Sequence, residues 1–312
     1  MHVRAARERI GAGVHKTPLL RAGALGEAAG IALHLKCENF QKTGSFKARG
    51  ALHKVLSLSD EERARGVVTV SAGNHAAAVA WAARQAGIAA VVVMPAAAPK
   101  AKIEAVREYG AEIVFHEDRT TLFDRVAEVQ RERGLTFVHP FDDPVVLAGA
   151  GTCGLEIVEE APEVDVVVVP LGGGGLLGGV ATAVRGLLPR ARIVAVELAE
   201  GPGMGPALAA GKPVPAPRPA TVADGMTPPF VGALPLQIVQ RTGVEVVGVG
   251  EAAIREAMRT LMTRAKLVVE GAGAAAFGAI ASGAVRLERG ATVVAIVSGG
   301  NVDLDRLSEV LG

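Results

Sequence analysis

Runs of β-branched apolar residues with no polar alternation recur along this chain, and most lead into a segment of helical period. VVTVSA (67–72) runs into NHAAAVAWAARQAG, AAVVVMP (89–95) into KAKIEAVREYG, and AEIVFHE (111–117) into TLFDRVAEVQRERG. TFVHP (136–140), VDVVVVP (164–170), RIVAVEL (192–198), VEVVGVG (244–250) and TVVAIVSGG (292–300) continue the pattern. A strand that is apolar on both faces must be covered on both faces. In a chain of alternating strands and helices this means parallel sheets between helical layers. There are more strands than one open sheet takes comfortably, and 312 residues exceeds the usual single-domain size. The expected fold is α/β, with two open, twisted, mostly parallel sheets flanked by helices. The Pro- and Gly-rich stretch 201–229 reads as a long loop, a feature that is often functional inside a compact domain.

Composition removes several kinds of function. A net charge of +1 gives no electrostatic reason to expect nucleic acid or an anionic membrane surface, and 3% aromatic residues give few platforms for base stacking. Cys37 and Cys153 form no CxxC and no disulfide framework, which fits a reducing, cytoplasmic compartment. The N-terminus MHVRAARERIGAG has no apolar core of a secretory signal. The most apolar windows, 164–180 and 270–285, are broken by glycine or proline, so no membrane span is expected.

Several turns carry residues suited to chemistry. VDVVVVPLGGGGLLGGV is a strand, a glycine loop and a helix, and Gly172 to Gly175 let backbone N–H groups turn inward around a phosphate at a helix N-terminus. The same loop fits G-x-G-x-x-G through Gly173, Gly175 and Gly178, with Glu197 about 20 residues on where a ribose-binding acid should lie. A nicotinamide-dependent oxidoreductase is therefore an alternative, but it leaves TGSFK, SAGNH and SGGN without a role. Ser45 is placed to cap a helix FKARGALHKVL, with Lys47 in its first turn. There a helix N-terminus lowers an amine's pKa and favours a neutral nucleophile. In VVTVSAGNHAAAVA, Ser71, Asn74 and His75 with the free N–H groups of the turn form a carboxylate-sized anion site. VVAIVSGGN repeats that construction with Ser298. Asn39, Asn74 and Asn301, the only asparagines of the chain, all fall in or beside these turns.

KCENFQKTGSFKARGA, SAGNHAAAVA, HPFDDP, GGGGL, VEGAGAAA and VSGGN resemble, in order and spacing, the serine/threonine dehydratases. These belong to the tryptophan-synthase-β-like, fold type II group of pyridoxal-phosphate (PLP) enzymes, and the resemblance spans nearly the whole chain. It implies that Lys47 holds PLP covalently, with Phe46 against the ring and Asn74 on its phenolic oxygen. Gly172, Gly173, Gly174, Gly175 and Leu176 would take the phosphate through main-chain N–H groups, and Ser298 would meet the pyridine nitrogen. Gly225 and Glu270 would lie close to the cofactor. The turn Ser71, Ala72, Gly73, Asn74 and His75 would hold the substrate carboxylate. The implied reaction is dehydration and deamination of L-threonine to 2-oxobutyrate and ammonia, and of L-serine to pyruvate.

Departures from the pattern separate this chain from its relatives. Serine racemases of the group carry a second serine in this turn as the acid/base on the far ring face, where this chain has Ala72, and asparagine where it has Phe141. Racemisation is disfavoured accordingly. Cysteine synthases read TSGNTG in place of SAGNH, and threonine synthases carry an aspartate where this chain has Ala48. Some members bind a divalent cation with a glutamate matching Glu197 and a nearby aspartate. Here Gly203 stands at the second place, with Glu200 as a substitute, and no metal is expected. Ala150 replaces the usual glutamine of AGQGT. The chain stops soon after SGGN, so no regulatory domain and no isoleucine inhibition are expected. The resemblance further implies a large cofactor domain (1–55 and 144–312), a small mobile domain (56–143) carrying SAGNH, and a homodimer or homotetramer.

Overall fold

The structure is a computed structural model that describes residues 2–98 and 100–312. Among the described residues, ten strands form two sheets. The first two are β1 (Leu19–Arg21) and β2 (Ala32–Cys37); then come β3 (Val67–Val70), β4 (Ala90–Pro95), β5 (Glu112–His116) and β6 (Thr136–Phe137). The chain continues through β7 (Val166–Pro170), β8 (Arg192–Leu198), β9 (Glu245–Val249) and β10 (Thr292–Val297). The six-stranded sheet has the order β1-β2-β10-β7-β8-β9, parallel except at the β1–β2 edge; the four-stranded sheet, β5-β4-β3-β6, is parallel throughout.

The pleat explains why the larger sheet's strands read as unbroken apolar runs. Leu33, Leu35, Val166, Val168, Val194, Val196 and Ala295 share a core with the helix Gly271–Ala281. Their neighbours Val167, Val169, Ile193, Ala195, Val294 and Ile296 share another with the helix Gly175–Leu187. Both faces are dry, so neither strand parity could be polar.

Two strands escaped the sequence pattern. β2 reads ALHLKC, and its His34 and Lys36 break the apolar run, yet it pairs with β10 in the interior of the larger sheet. Lys36 is fully buried because its ammonium donates to Thr17 O at 2.7 Å and pairs with Glu156 at 2.8 Å. β1 is short and lies on the antiparallel edge. The segment 201–229 is also not loop throughout: it contains the helix Met204–Ala210 and a 3₁₀ turn Asp224–Met226.

One helix ties the site's two halves together. Pro144–Glu160 packs on the helix Lys47–Leu56 on one side and on Gly175–Leu187 on the other. Both crossings are at backbone contact. A Cβ on Gly149 would lie 2.5 Å from Arg49 O, and one on Gly179 would collide with Leu147 O. Ala150, between two such glycines, is buried in this helix. Arg49 locks the first crossing, bidentate to Glu38 (2.8 Å on both oxygens) and bonded to Glu156 at 2.6 and 2.9 Å.

Candidate active site

The predicted motifs follow the C-terminal ends of parallel strands, where an α/β sheet opens its crevices. The TGSFK segment follows β2, SAGNH follows β3, the glycine loop follows β7 and SGGN follows β10. TGSFK and SGGN are stitched side by side. Ser45 bridges Gly299, Phe46 N–H donates to Ser298 O (3.1 Å), Gly300 N–H donates to Gly44 O (2.9 Å) and Asn301 Nδ2 donates to Thr43 O (2.7 Å).

Lys47 is the first residue of its helix, as expected, but Ser45 is not the cap. Ser45 is extended and fully buried with an unpartnered hydroxyl, and the N-cap position falls to Phe46, which makes no side-chain cap bond. The bridge to Gly299 holds Ser45 in a strand-like conformation, which overrides its capping preference. The Lys47 amine donates to Pro140 O at 2.6 Å and lies 5.1 Å from the centre of the Phe46 ring. Burial lowers its pKa to about 8, against an opposing pull from the Glu270 carboxylate. Desolvation, rather than the helix terminus alone, thus favours the neutral amine.

Glu270 lies at the head of the helix Gly271–Ala281 and accepts from Asn74 Nδ2 at 2.7 Å; Asn74 Oδ1 in turn accepts from Asn301 Nδ2 at 2.8 Å. Burial, with Asp224 nearby, raises the Glu270 carboxyl to about 8, although Asn74, Lys102 and Lys47 pull the other way. Asp224 is itself paired with Lys102 at 2.7 Å. Two of the three asparagines therefore form one chain running to Glu270 across the two sheets.

The N–H groups from Gly172 to Leu177 have no acceptor among the described residues. The loop is shaped for close approach: Gly174 takes φ +96°, and any Cβ on Gly173 would strike the Phe141 ring. Leu176 is buried under it, and Gly225 O would be 3.0 Å from a Cβ on Gly172. A row of unpartnered N–H groups at the head of the 13-residue helix Gly175–Leu187 is the chemistry a phosphate requires. In the SAGNH turn, the N–H groups of Ala72, Asn74 and His75 likewise have no acceptor among the described residues, while Ser71 Oγ accepts from Gly73 N–H at 3.0 Å. The His75 imidazole is turned inward: it is buried, donates to Val138 O across 3.1 Å, and is held neutral by burial. Of its polar groups on the turn side, only the backbone N–H is left without an acceptor among the described residues. Ser298 Oγ, buried at the end of β10, donates to Ala272 O at 3.2 Å.

Glu197 does other work than either sequence reading gave it. Its carboxylate accepts from the N–H groups of Gly203 (2.9 Å), Met204 (2.7 Å) and Gly205 (3.2 Å), holding the start of the helix Met204–Ala210. It serves as a cap here, and among the described residues no group of three or more His, Cys, Asp or Glu is arranged to hold a metal ion.

Sequence reasoning missed the cluster of Arg49, Lys36, Glu38 and Glu156 behind Lys47, and an aromatic group in front of it. The rings of Phe123, Phe137, His139, Phe141 and Phe230 form a connected set with centroids 4.8 to 5.6 Å apart. The only cue to it was HPFDDP.

The family model "Pyridoxal-phosphate dependent enzyme" matches residues 10–299. An L-threonine ammonia-lyase of Thermotoga maritima is 42% identical over 303 residues, 96% of this chain and 74% of that one. Among solved structures, a threonine deaminase from T.th. superposes with TM-score 0.91 at 40% identity, covering 97% of this chain and 98% of that one. Maize serine racemase superposes with TM-score 0.93 at 38% identity over 99% and 95% of the two chains.

Proposed function

Because this chain belongs to the family of pyridoxal-phosphate dependent enzymes, we propose that it is an L-threonine ammonia-lyase, converting L-threonine to 2-oxobutyrate and ammonia and L-serine to pyruvate. The observation that carries this reading is Lys47, a half-buried amine with its pKa lowered to about 8 that sits beside the HPF segment packed on the glycine loop, in a chain 42% identical to an L-threonine ammonia-lyase.

The residues present fit the cofactor. The unpartnered N–H groups of Gly172, Gly173, Gly174, Gly175 and Leu176 would take its phosphate, Lys47 its carbonyl carbon, and Phe46 one face of its ring. Asn74, Gly225 and Glu270 would border it, and Ser298 would meet its ring nitrogen. When bound, pyridoxal phosphate supplies the electron sink that stabilises charge left at Cα. The protein supplies the rest. Backbone N–H groups of Ala72, Asn74 and His75, with the Ser71 hydroxyl, would fix the substrate carboxylate and so orient the Cα–H bond toward Lys47. Once the substrate amine has displaced it from the carbonyl carbon, the Lys47 amine would remove that proton as general base. The Cβ–O bond would then break, with the proton held by Lys47 passing to the departing hydroxyl so that it leaves as water. Lys47 would regain its place as the enamine is released and hydrolyses to the 2-oxo acid and ammonia. The neutral Ser298 hydroxyl would turn its proton from Ala272 O toward that nitrogen and, unlike a carboxylate, would not hold a further proton there.

Racemisation needs a proton donor on the second face. Ala72 offers only a methyl group there, so elimination is the reaction this turn supports even beside racemase relatives. The enzyme acts in the cytoplasm as a homodimer or homotetramer, and residues 56–143 move as a small domain; among the described residues no helix is long and apolar enough to cross a membrane. The test is a visible absorption spectrum of the purified, PLP-loaded protein before and after L-threonine. A yellow band that shifts, with 2-oxobutyrate accumulating, is expected in the wild type and lost in Lys47→Ala. A band that ignores both threonine and serine would overturn the assignment.

A further inference from the structure

Aromatic residues are scarce in this chain, 3% in all with eight phenylalanines, yet four of those phenylalanines meet around one histidine. The rings come from separate parts of the chain. Phe123 lies on the helix Leu122–Arg133 and Phe137 on β6, both beside the smaller sheet; Phe230 comes from the loop that follows the turn Asp224–Met226. His139 and Phe141 lie between them on the segment whose Pro140 O takes the Lys47 amine at 2.6 Å, and the Phe141 ring packs on the backbone of Gly173. The group therefore borders the space between the catalytic amine and the phosphate cradle.

Its members are not core in the ordinary sense. Phe123, Phe137, His139 and Phe230 are only partly buried, and only Phe141 is closed off. Burial lowers the His139 pKa to about 4, and Nδ1 accepts from Asp142 N–H (2.8 Å) and Phe141 N–H (3.2 Å), which leaves the proton on Nε2 of a neutral ring. Asp142 is committed as well, accepting from the N–H groups of Ala233 (3.0 Å) and Leu234 (2.9 Å). What remains is an uncharged, mostly apolar wall with a single N–H donor.

We propose that Phe123, His139, Phe141 and Phe230 form the chamber that receives the substrate's β-substituent, and that Phe123 and Phe230 set the preference for the methyl group of threonine over the bare β-carbon of serine. This rests on the lyase reading above. One methylene placed against such a wall discriminates roughly 10- to 200-fold. A chamber closed by rings from both sheets also excludes water from the β-carbon only when the sheets come together.

The test separates the chamber from the lyase assignment. First, kcat/KM for L-threonine and L-serine is compared in wild type, Phe123→Ala, Phe230→Ala and Phe230→Leu. The threonine-to-serine ratio should fall at least about fivefold in each alanine variant and recover most of the way in Phe230→Leu. Second, L-2-aminobutyrate and L-alanine, which differ by one methylene and carry no leaving group, are titrated against the visible band of the PLP-loaded proteins. The ratio of their dissociation constants should shrink in the same variants. Ratios unchanged within twofold in both measurements would overturn the chamber. Wild type that eliminates from neither hydroxy amino acid, but whose binding ratio still collapses in the alanine variants, would sink the lyase reading and uphold the chamber.

Discussion

Lys47 shows how much one side chain's surroundings matter. An ordinary lysine, with pKa 10.5, would be neutral in roughly one molecule in 3,000 at pH 7; at about 8 the fraction is near a tenth. Because the folded pKa is depressed by burial, the reactive fraction grows as pH rises toward 8 and saturates above it. The rate at which protein stripped of PLP regains its visible band on adding PLP should therefore rise with pH, with a midpoint near 8. Glu270 titrates in the same range and shares the proton inventory, so the midpoint belongs to the pair. A log-linear rise continuing past pH 10 would show an unperturbed amine. The TGSFK segment, the glycine loop and the asparagine turns stood out in the sequence because each is a short contiguous signal, and the structure sets each of them after the end of a strand. The Ser45 cap was misread because its bridge partner, Gly299, lies at the far end of the chain.

Among elements, the apolar strands declared themselves, since a strand buried on both faces has no polar parity to hide it. β2 did not, and the reason is the buried ion cluster. Lys36, Glu38, Arg49 and Glu156 are separated in sequence, each alone reads as surface, and only the fold brings them within 2.6 to 2.9 Å of their partners. Breaking such a buried pair leaves a stranded charge, at a cost of about 3–5 kcal/mol. The cluster clamps the helix Pro144–Glu160 to the helix that begins with Lys47, and the glycines of AGAG make room for that clamp. Gly149→Ala forces its new methyl group against Arg49 O, a backbone atom that cannot give way cheaply. The expected result is a loss of about 1–3 kcal/mol in denaturant unfolding, together with weaker PLP binding as Lys47 shifts from its place. An alanine variant with wild-type stability and affinity would mean that the crossing is slack.

At the scale of the molecule, the proposed site is divided between two sheets. The amine, the phosphate cradle and Ser298 stand on the larger, while the carboxylate turn 71–75 stands at the end of β3 in the smaller. Polar links between them at the cleft include Asn74–Glu270, Asn74–Asn301 and Lys102–Asp224, at 2.7 to 2.8 Å. The Lys102–Asp224 pair is partly exposed and contributes little stability by itself, but Ala48, Leu52 and Val55 share a buried core with Ala76, Val79 and Ala83, so any closure must pivot on that packing rather than break it. We expect residues 56–143 to close when a substrate carboxylate reaches the N–H groups of Ala72, Asn74 and His75, which have no protein acceptor of their own among the described residues. Hydrogen exchange on the PLP-loaded enzyme tests this directly with L-alanine, which binds without eliminating. Amides in 71–76 should slow by about tenfold or more, and those around Phe230 should slow with them as the aromatic chamber closes, while β7 stays unchanged because it is already buried on both faces. Protection at 71–76 alone would describe a local clasp rather than a moving domain. No protection anywhere would place the carboxylate elsewhere and remove the reason for dividing the site.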